Sequence, residues 1–262
     1  MLINTVLLFL QCALPMFIII SLLLLRFKGR TESLCTTKNV LKISSISFML
    51  VFVFSQNMEV ISQFFDGKGS EVFFSIGFII IYLCSAQLFV FDNKEDCLRY
   101  KKYLAITTFI SVMLVNGSHF ILYLNGYLTQ SLQFESLFIG IVLGMGICIS
   151  FAILFYFLLR YCDTSLYTNT SSYFLLFFAI GQLMQSIVLL QQVDVLPFSY
   201  IFWNSTNFIA ENTEVGQLLR VLIGYETTPS LIQLVTYLIA FIIPVFVSKS
   251  HHIIRYNYGD NS

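Results

Sequence analysis

The sequence predicts an all-α, polytopic membrane protein with seven transmembrane helices. Of the 262 residues, 57% are hydrophobic and 11% are charged, and the mean hydropathy is +0.82. Soluble domains carry about 25% charged residues, so this composition is typical of a protein in a bilayer. Apolar stretches of about 20 residues recur along the chain, which is the length a helix needs to cross the hydrocarbon core. They are too long for the strands of a transmembrane barrel.

Seven stretches meet this criterion, and together they predict one transmembrane domain that occupies the whole chain. The predicted spans are residues 2–25, 43–65, 72–91, 103–128, 136–159, 172–193 and 229–247. No basic segment precedes the first of them, so we interpret it as a retained helix and not as a signal peptide.

The basic residues predict which way the helices run. Twelve of the 14 Lys and Arg residues fall on one side of the predicted spans, and only Lys68 and Arg220 fall on the other. Cytoplasmic loops carry the excess of Lys and Arg in membrane proteins. We therefore expect the N-terminus outside, the C-terminus in the cytoplasm, and an integral multi-pass location in the plasma or inner membrane. The lipid bilayer is the expected partner, and no nucleic-acid-binding signature is found.

The longest connection, residues 194–228, lies on the predicted outer side. Within it, Val215, Leu218 and Leu222 recur at helical spacing, which predicts an amphipathic helix at the outer interface. The last span is then predicted to begin with Thr228 as its N-cap and Pro229 as its first helical residue.

Two features predict how the spans pack. Gly140 and Gly144 in the fifth span are spaced to admit a close helix neighbour. The first and fourth spans also share a polar interruption in an apolar run, FLQCALP and MLVNGSHF. Because three spans reverse the chain direction, spans one to three and four to six would form an inverted repeat, with the seventh span outside it.

The polar interruptions supply the candidate functional residues. Asn116 and His119 are three positions apart and so share one helix face. Gln11 would meet them from the outer half of the first span. Glu59 is an ionisable group inside the second span, where such groups are costly and often functional. The alternatives are interhelical hydrogen bonds for the amides, a structural role for His119, and a position near the outer headgroups for Glu59.

An enzyme is not expected. No nucleophile is paired with a base, and the chain has neither a phosphate-binding loop nor a Cys-x-x-Cys motif.

The last third of the chain resembles the high-affinity iron permease family, whose members include bacterial permeases and fungal permeases that work with a multicopper oxidase. The matching residues are Gly216, Leu218, Gly224, Tyr225, Pro229 and Ser230. The seven-span layout matches along the whole chain. The resemblance implies iron ion as a transported substrate, no permanently bound cofactor, and an oxidase or an extracellular or periplasmic iron-delivery protein as a partner. A homo-oligomer is left open.

In that family iron is carried by two Arg-Glu-Gly-x-Glu motifs, one in helix one and one in helix four. Gln11 and Leu14 occupy the two glutamate positions of the first motif, and Asn116 and His119 occupy those of the second. Only Gly117 keeps the pattern. Without these carboxylates, tight capture of Fe(III) is not expected, since hard cations prefer oxygen anions.

The third span offers a partial replacement for the missing carboxylates. Glu71 resembles an acidic position of the family, although Phe74 stands where a second acidic residue is expected. The prediction is an iron permease-like transporter with a degenerate ion path, in which His119 and Glu71 are the metal-ligand candidates. The whole set of ion-path candidates is Gln11, Glu59, Glu71, Asn116 and His119. The alternatives are a non-conducting structural subunit of an uptake complex and a seven-helix receptor.

Overall fold

The structure is a computed structural model, and it describes residues 2–27, 37–91, 98–130, 134–165, 169–197, 200–210 and 213–259. Helices account for most of these residues. In chain order they are α1 (Leu2–Phe27), α2 (Thr37–Gln56), α3 (Met58–Gly67), α4 (Gly69–Val90), α5 (Leu98–Gln130), α6 (Phe134–Ser165), α7 (Thr170–Gln192), α8 (Glu214–Ile223) and α9 (Leu231–Gly259).

The predicted all-α, polytopic architecture is confirmed. Within the described ranges, six helices are long and apolar enough to cross a membrane, namely α1, α4, α5, α6, α7 and α9. The helices α2 and α3 form a pair bent by 57° at Asn57, and this pair makes a seventh span if it crosses as one unit. The N-outside orientation stays a prediction, because the structure contains no membrane.

The predicted second span, residues 43–65, is broken in the structure into α2 and α3. The helix breaks at Asn57, and polar side chains close to the break bond to their own backbone. Ser55 Oγ donates to the Phe52 carbonyl at 2.9 Å, and Asn57 Nδ2 donates to the Val53 carbonyl at 2.7 Å. Such local bonds compete with the helical ladder and bend helices. Apolar content alone gave no sign of the break.

The amphipathic helix in the long outer connection is confirmed as α8. Its first turn is capped by Thr213, whose Oγ1 accepts a hydrogen bond from the Gly216 amide at 3.1 Å. It ends at Gly224, which has a φ of +70°. That left-handed conformation strains most residues but not glycine, so it fixes where the helix stops.

The start of the last span differs from the prediction. The N-cap is Ser230 and not Thr228, and the helix begins at Leu231. Ser230 Oγ accepts from the Gln233 amide at 3.4 Å, and Gln233 Oε1 accepts from the Ser230 amide at 2.6 Å. This reciprocal capping box favours Ser230 as the N-cap, because it satisfies the backbone amides of both Ser230 and Gln233. A helix that began with Thr228 as N-cap and Pro229 as first residue would satisfy fewer amides.

The packing of the spans shares several pairs with the predicted three-helix repeat. The helix α1 packs extensively on α6, and α2 packs on α5. The helix α4 packs on α7, and α1 on α5. If spans one, two and three are matched with spans four, five and six, the pair α1–α6 corresponds to α5–α2, and the other two pairs correspond to themselves. The match is incomplete, because α4 also packs extensively on α5 whereas the counterpart of that pair, α7 with α1, is a small contact. The inverted repeat therefore stays a prediction.

The close approach predicted for the fifth span is confirmed at Gly144. A Cβ atom there would lie 2.7 Å from the ring of Phe9, so α6 needs glycine at this point to reach α1. The apolar core lies in the middle of the bundle and towards its predicted inner side. Fully buried side chains of this core are Ile18, Ile19, Val112, Leu159, Leu175 and Phe178.

Candidate functional site

A polar cavity of about 300 Å³ lies between α1, α5, α7 and α8, with Phe78 of α4 also on its wall. We call it the central cavity. The polar side chains that line it are Gln11, Cys12, Asn116, His119, Tyr123, Gln182, Gln185, Gln217 and Arg220. All of these residues lie in the half of the bundle that also holds α8, which is the predicted outer half. So many polar groups within a bundle of apolar helices mark a candidate solute site.

The structure brings together three of the five residues predicted from sequence. Gln11, Asn116 and His119 all line the central cavity. Glu59 does not, since it lies exposed in the first turn of α3. Glu71 lies in the first turn of α4 and is also outside the described lining, although it interacts electrostatically with His119.

In the segment VNGSHF, residues 115–120, some residues face the cavity and others pack against neighbouring helices. Asn116 and His119 face the cavity, as their three-residue spacing predicted. Gly117 serves the packing of the bundle. A Cβ atom at Gly117 would lie 3.1 Å from Val51 of α2 and 3.5 Å from the methyl group of Met16 in α1. The glycine that matches the family pattern is therefore the point where two other spans approach α5.

His119 is held by an aromatic stack. Its ring lies 3.9 Å from that of Phe74, centroid to centroid, with 25° between the planes. Both residues stand at positions where the resemblance leads one to expect acidic side chains, and here they pack against each other. Near this pair, Glu71 Oε2 accepts a hydrogen bond from Ser70 Oγ at 2.6 Å. Among the described residues, no group of three or more His, Cys, Asp and Glu side chains is placed to hold a metal ion.

A proline interrupts the hydrogen-bond ladder of α1 at the cavity wall. Pro15 lies inside α1 and lines the cavity. Proline has no amide hydrogen, so it cannot donate the helical bond to the carbonyl four residues earlier. The carbonyl of Gln11 thus loses its usual intrahelical donor at the same place where the Gln11 side chain lines the cavity.

Several amides of the cavity lack partners in the described part of the chain. The side chains of Gln11, Gln182 and Gln217 make no hydrogen bond to any described residue, and Gln182 is 2% exposed with its Oε1 enclosed. Asn116 uses its Nδ2 to donate to the Val112 carbonyl at 3.0 Å. Buried polar groups in proteins almost always have partners. Gln11 is exposed and Gln217 is half-buried, so solvent can serve both side chains, whereas the enclosed Oε1 of Gln182 needs water or a polar solute in the cavity as its partner.

The helix α8 closes one side of the cavity through Gln217, Arg220 and Val221. Arg220 Nη2 donates to Gln185 Oε1 at 3.4 Å, so the guanidinium reaches from α8 to the adjacent wall that α7 forms. Glycines allow α8 to come this close. A Cβ atom at Gly181 would lie 2.9 Å from the Gly224 amide nitrogen, which means that α7 and the end of α8 meet backbone to backbone.

Sequence reasoning left Gln217, Arg220 and Tyr123 out of the site. The first two are three residues apart on α8, and they share a face with Val221. Their spacing was readable as a polar stripe on an otherwise apolar helix. The position of α8, which folds back on α1 and α7, could not be predicted from its sequence.

No family model matches the chain, and neither a curated protein nor a solved structure matches it. What is known of its site therefore comes from the helical architecture and the central cavity.

Proposed function

We propose that this protein is a multi-pass membrane permease, acting in transport and not in catalysis, whose solute site is the central cavity. The observation that carries the proposal is Gln182, which lines the central cavity with its enclosed Oε1 unpartnered among the described residues, beside the half-buried Gln217 and the exposed Gln11. A purely structural polar cluster would satisfy itself by hydrogen bonds between helices. A transport site leaves such groups ready for water and solute.

The arrangement of apolar and polar layers supports an outward-facing state. The cavity lies in the predicted outer half, and beneath it the core closes the bundle with side chains such as Ile19, Val112 and Phe178, each 0% exposed. Release to the other side would require these layers to part. The predicted pair of inverted three-helix units would provide the means, because one unit can rock against the other about a site at their interface.

Iron ion is the substrate that the resemblance implies, and the proposal retains it as the first substrate to test. The lining supports iron weakly, because His119 and Cys12 are its metal-binding side chains and the other polar groups are mostly neutral amides. Such a set would hold a divalent ion loosely. The proposed location is the plasma or inner membrane, with an oxidase or an iron-delivery protein as the proposed outer partner.

The experiment is iron uptake by sealed vesicles that carry the full-length chain. We expect uptake above that of empty vesicles, and we expect Asn116→Ala and His119→Ala to reduce it. The matched control is Asn125→Ala, which removes an exposed amide from the same helix outside the described lining of the cavity. Uptake that both cavity variants leave unchanged would place the iron path elsewhere.

A second candidate function is a non-conducting subunit of an uptake complex. The observation in its favour is that none of the described residues lining the cavity is Asp or Glu. In that case the chain alone would transport nothing, and its expression would raise the uptake by a partner permease or oxidase complex. The receptor alternative predicts signalling on ligand addition without solute flux.

A further inference from the structure

We propose that the protein binds one ester-linked phospholipid of the outer leaflet in a second pocket, which lies between α7, α9 and the segment that follows α8. We call it the lateral pocket. It has a volume of about 270 Å³ and lies at the predicted outer end of α9. Its described lining shares no residue with that of the central cavity. The lipid site is therefore separate from the proposed iron path and does not depend on it.

The backbone holds an aromatic wall over the lateral pocket. Residues 200–203 pair with the start of α9, and the Phe202 amide donates to the Pro229 carbonyl at 3.0 Å. This pairing keeps Trp203 on the pocket wall, beside the first turns of α9. Trp and Tyr are enriched where the hydrocarbon core meets the lipid headgroups, because each has an apolar ring and a polar tip.

The polar group that carries the proposal is Gln233, which lines the lateral pocket and is 4% exposed. Its Oε1 accepts from the Ser230 amide at 2.6 Å, whereas its Nε2 donates to no described residue. The exposed Trp203 and the half-buried Tyr237 add an indole N–H and a hydroxyl that also have no partner in the described chain. A buried amide without an acceptor is costly, so a ligand that brings acceptors would stabilise this pocket.

Neutral acceptors suit this wall best. The described lining of the lateral pocket has neither Lys nor Arg, the side chains that usually bind phosphate. Its amide, indole and hydroxyl groups are neutral donors that match carbonyl oxygens. Ester carbonyls of a phospholipid lie just below the headgroups, which is the depth that Trp and Tyr prefer.

An acyl chain has a path from the lateral pocket into the bilayer. Leu238 lines the pocket and is 51% exposed. Ile242 and Phe246 follow it at four-residue steps, so they share its helix face, and both are exposed. Since α9 is long and apolar enough to cross a membrane, this stripe faces hydrocarbon. The stripe is continuous with the pocket, which identifies the occupant as a lipid.

The test uses Trp203 as a reporter, because it is the single tryptophan of the chain. The purified full-length protein in detergent is titrated with an ester-linked phosphatidylcholine whose acyl chains carry bromine, which quenches indole fluorescence on contact. We expect quenching that saturates near one lipid per chain and that the unbrominated lipid reverses. The brominated ether-linked analogue, which lacks the ester carbonyls, should bind about tenfold more weakly.

Two variants remove donors from the wall. Gln233→Glu keeps an oxygen for the Ser230 amide but loses the Nε2 donor, and Tyr237→Phe loses a hydroxyl that bonds to no described residue. Each should weaken lipid binding by about three- to tenfold. Leu238→Ala should also weaken it. The matched control is Ile239→Ala, which is equally exposed at 51% but lies outside the described lining and should bind lipid normally.

Three results would overturn the proposal. Quenching that rises in proportion to added lipid without saturating would indicate contact with surrounding lipid only. Equal affinity for the ether-linked analogue would remove the ester carbonyls as the recognised groups. Unchanged lipid affinity in both Gln233→Glu and Tyr237→Phe would show that the donors of the wall hold no ligand. None of these results bears on iron uptake, and a failure of iron uptake would leave the lipid site standing.

Discussion

The contact between Gly181 and Gly224 holds the end of α8 against α7, backbone to backbone. Gly181→Ala places a Cβ atom 2.9 Å from the Gly224 amide nitrogen, so the end of α8 must shift. We expect a loss of stability of about 1–3 kcal/mol, typical of overpacking. Thermal unfolding of the purified protein in detergent measures it.

The matched control is Gly146→Ala on α6, where an added Cβ would have nothing within 4 Å. Equal unfolding temperatures for the two variants would contradict the backbone contact between α7 and α8.

The residues that line the cavity were not equally predictable from the sequence. Gln11, Asn116 and His119 were predictable because each interrupts an apolar helix, and helical spacing fixes the common face of the last two. Glu59 does not line the cavity, because its span bends before reaching it and leaves it exposed, so its role stays a prediction. Arg220 was missed because its role depends on where α8 lies, and a local pattern does not fix that position.

Among the helices, the membrane-crossing stretches of the long apolar ones were predictable because hydropathy defines them, although some helices continue well beyond the predicted spans, as α9 does past residue 247 to Gly259. Helix breaks and starts were not, since they depend on side-chain bonds to the backbone. The break at Asn57 and the cap at Ser230 are both of this kind. The amphipathic pattern of α8 was clear in the sequence, whereas its contacts with α1 and α7 were not.

The capping box of α9 is open to a direct test. We expect Ser230→Ala to lower the free energy of unfolding by about 0.5–2 kcal/mol, because the side chain caps the helix. It also accepts a hydrogen bond from Gln191 Nε2 at 3.2 Å, which ties α7 to α9. Thr228→Ala is the control and should change stability little. A larger loss of stability for Thr228→Ala than for Ser230→Ala would indicate that Thr228 is the N-cap, as predicted from the sequence.

At the scale of the whole molecule, composition and the arrangement of basic residues predicted both the fold class and the orientation. The fold class is confirmed. The contacts between the spans fit the faint sequence repeat only in part, since α1 with α6 and α2 with α5 would be equivalent pairs but α4 with α5 and α1 with α7 differ. The cavity lies where α1 and α5 meet, and these are the first helices of the two units.

The predicted orientation of the chain in the membrane can be tested with a fused reporter. A reporter active only in the cytoplasm and fused after Ser262 should be active, because seven spans with the N-terminus outside place the C-terminus inside. A reporter that works only outside should be silent at the same position. The reverse result would invert the topology and place α8 with its cavity on the cytoplasmic side.

The central claim is that a water-filled polar cavity opens to the predicted outer side and is closed on the other by the apolar core. The most direct measurement is thiol labelling of Asn116→Cys, Gln217→Cys and Val112→Cys in sealed, oriented vesicles that carry the chain with all six of its cysteines replaced by alanine. We predict that an impermeant reagent added outside reacts with the first two and not with the third, which is 0% exposed beneath the cavity. Absence of reaction at both cavity positions, or reaction at Val112→Cys in the folded protein at the same rate, would contradict the account.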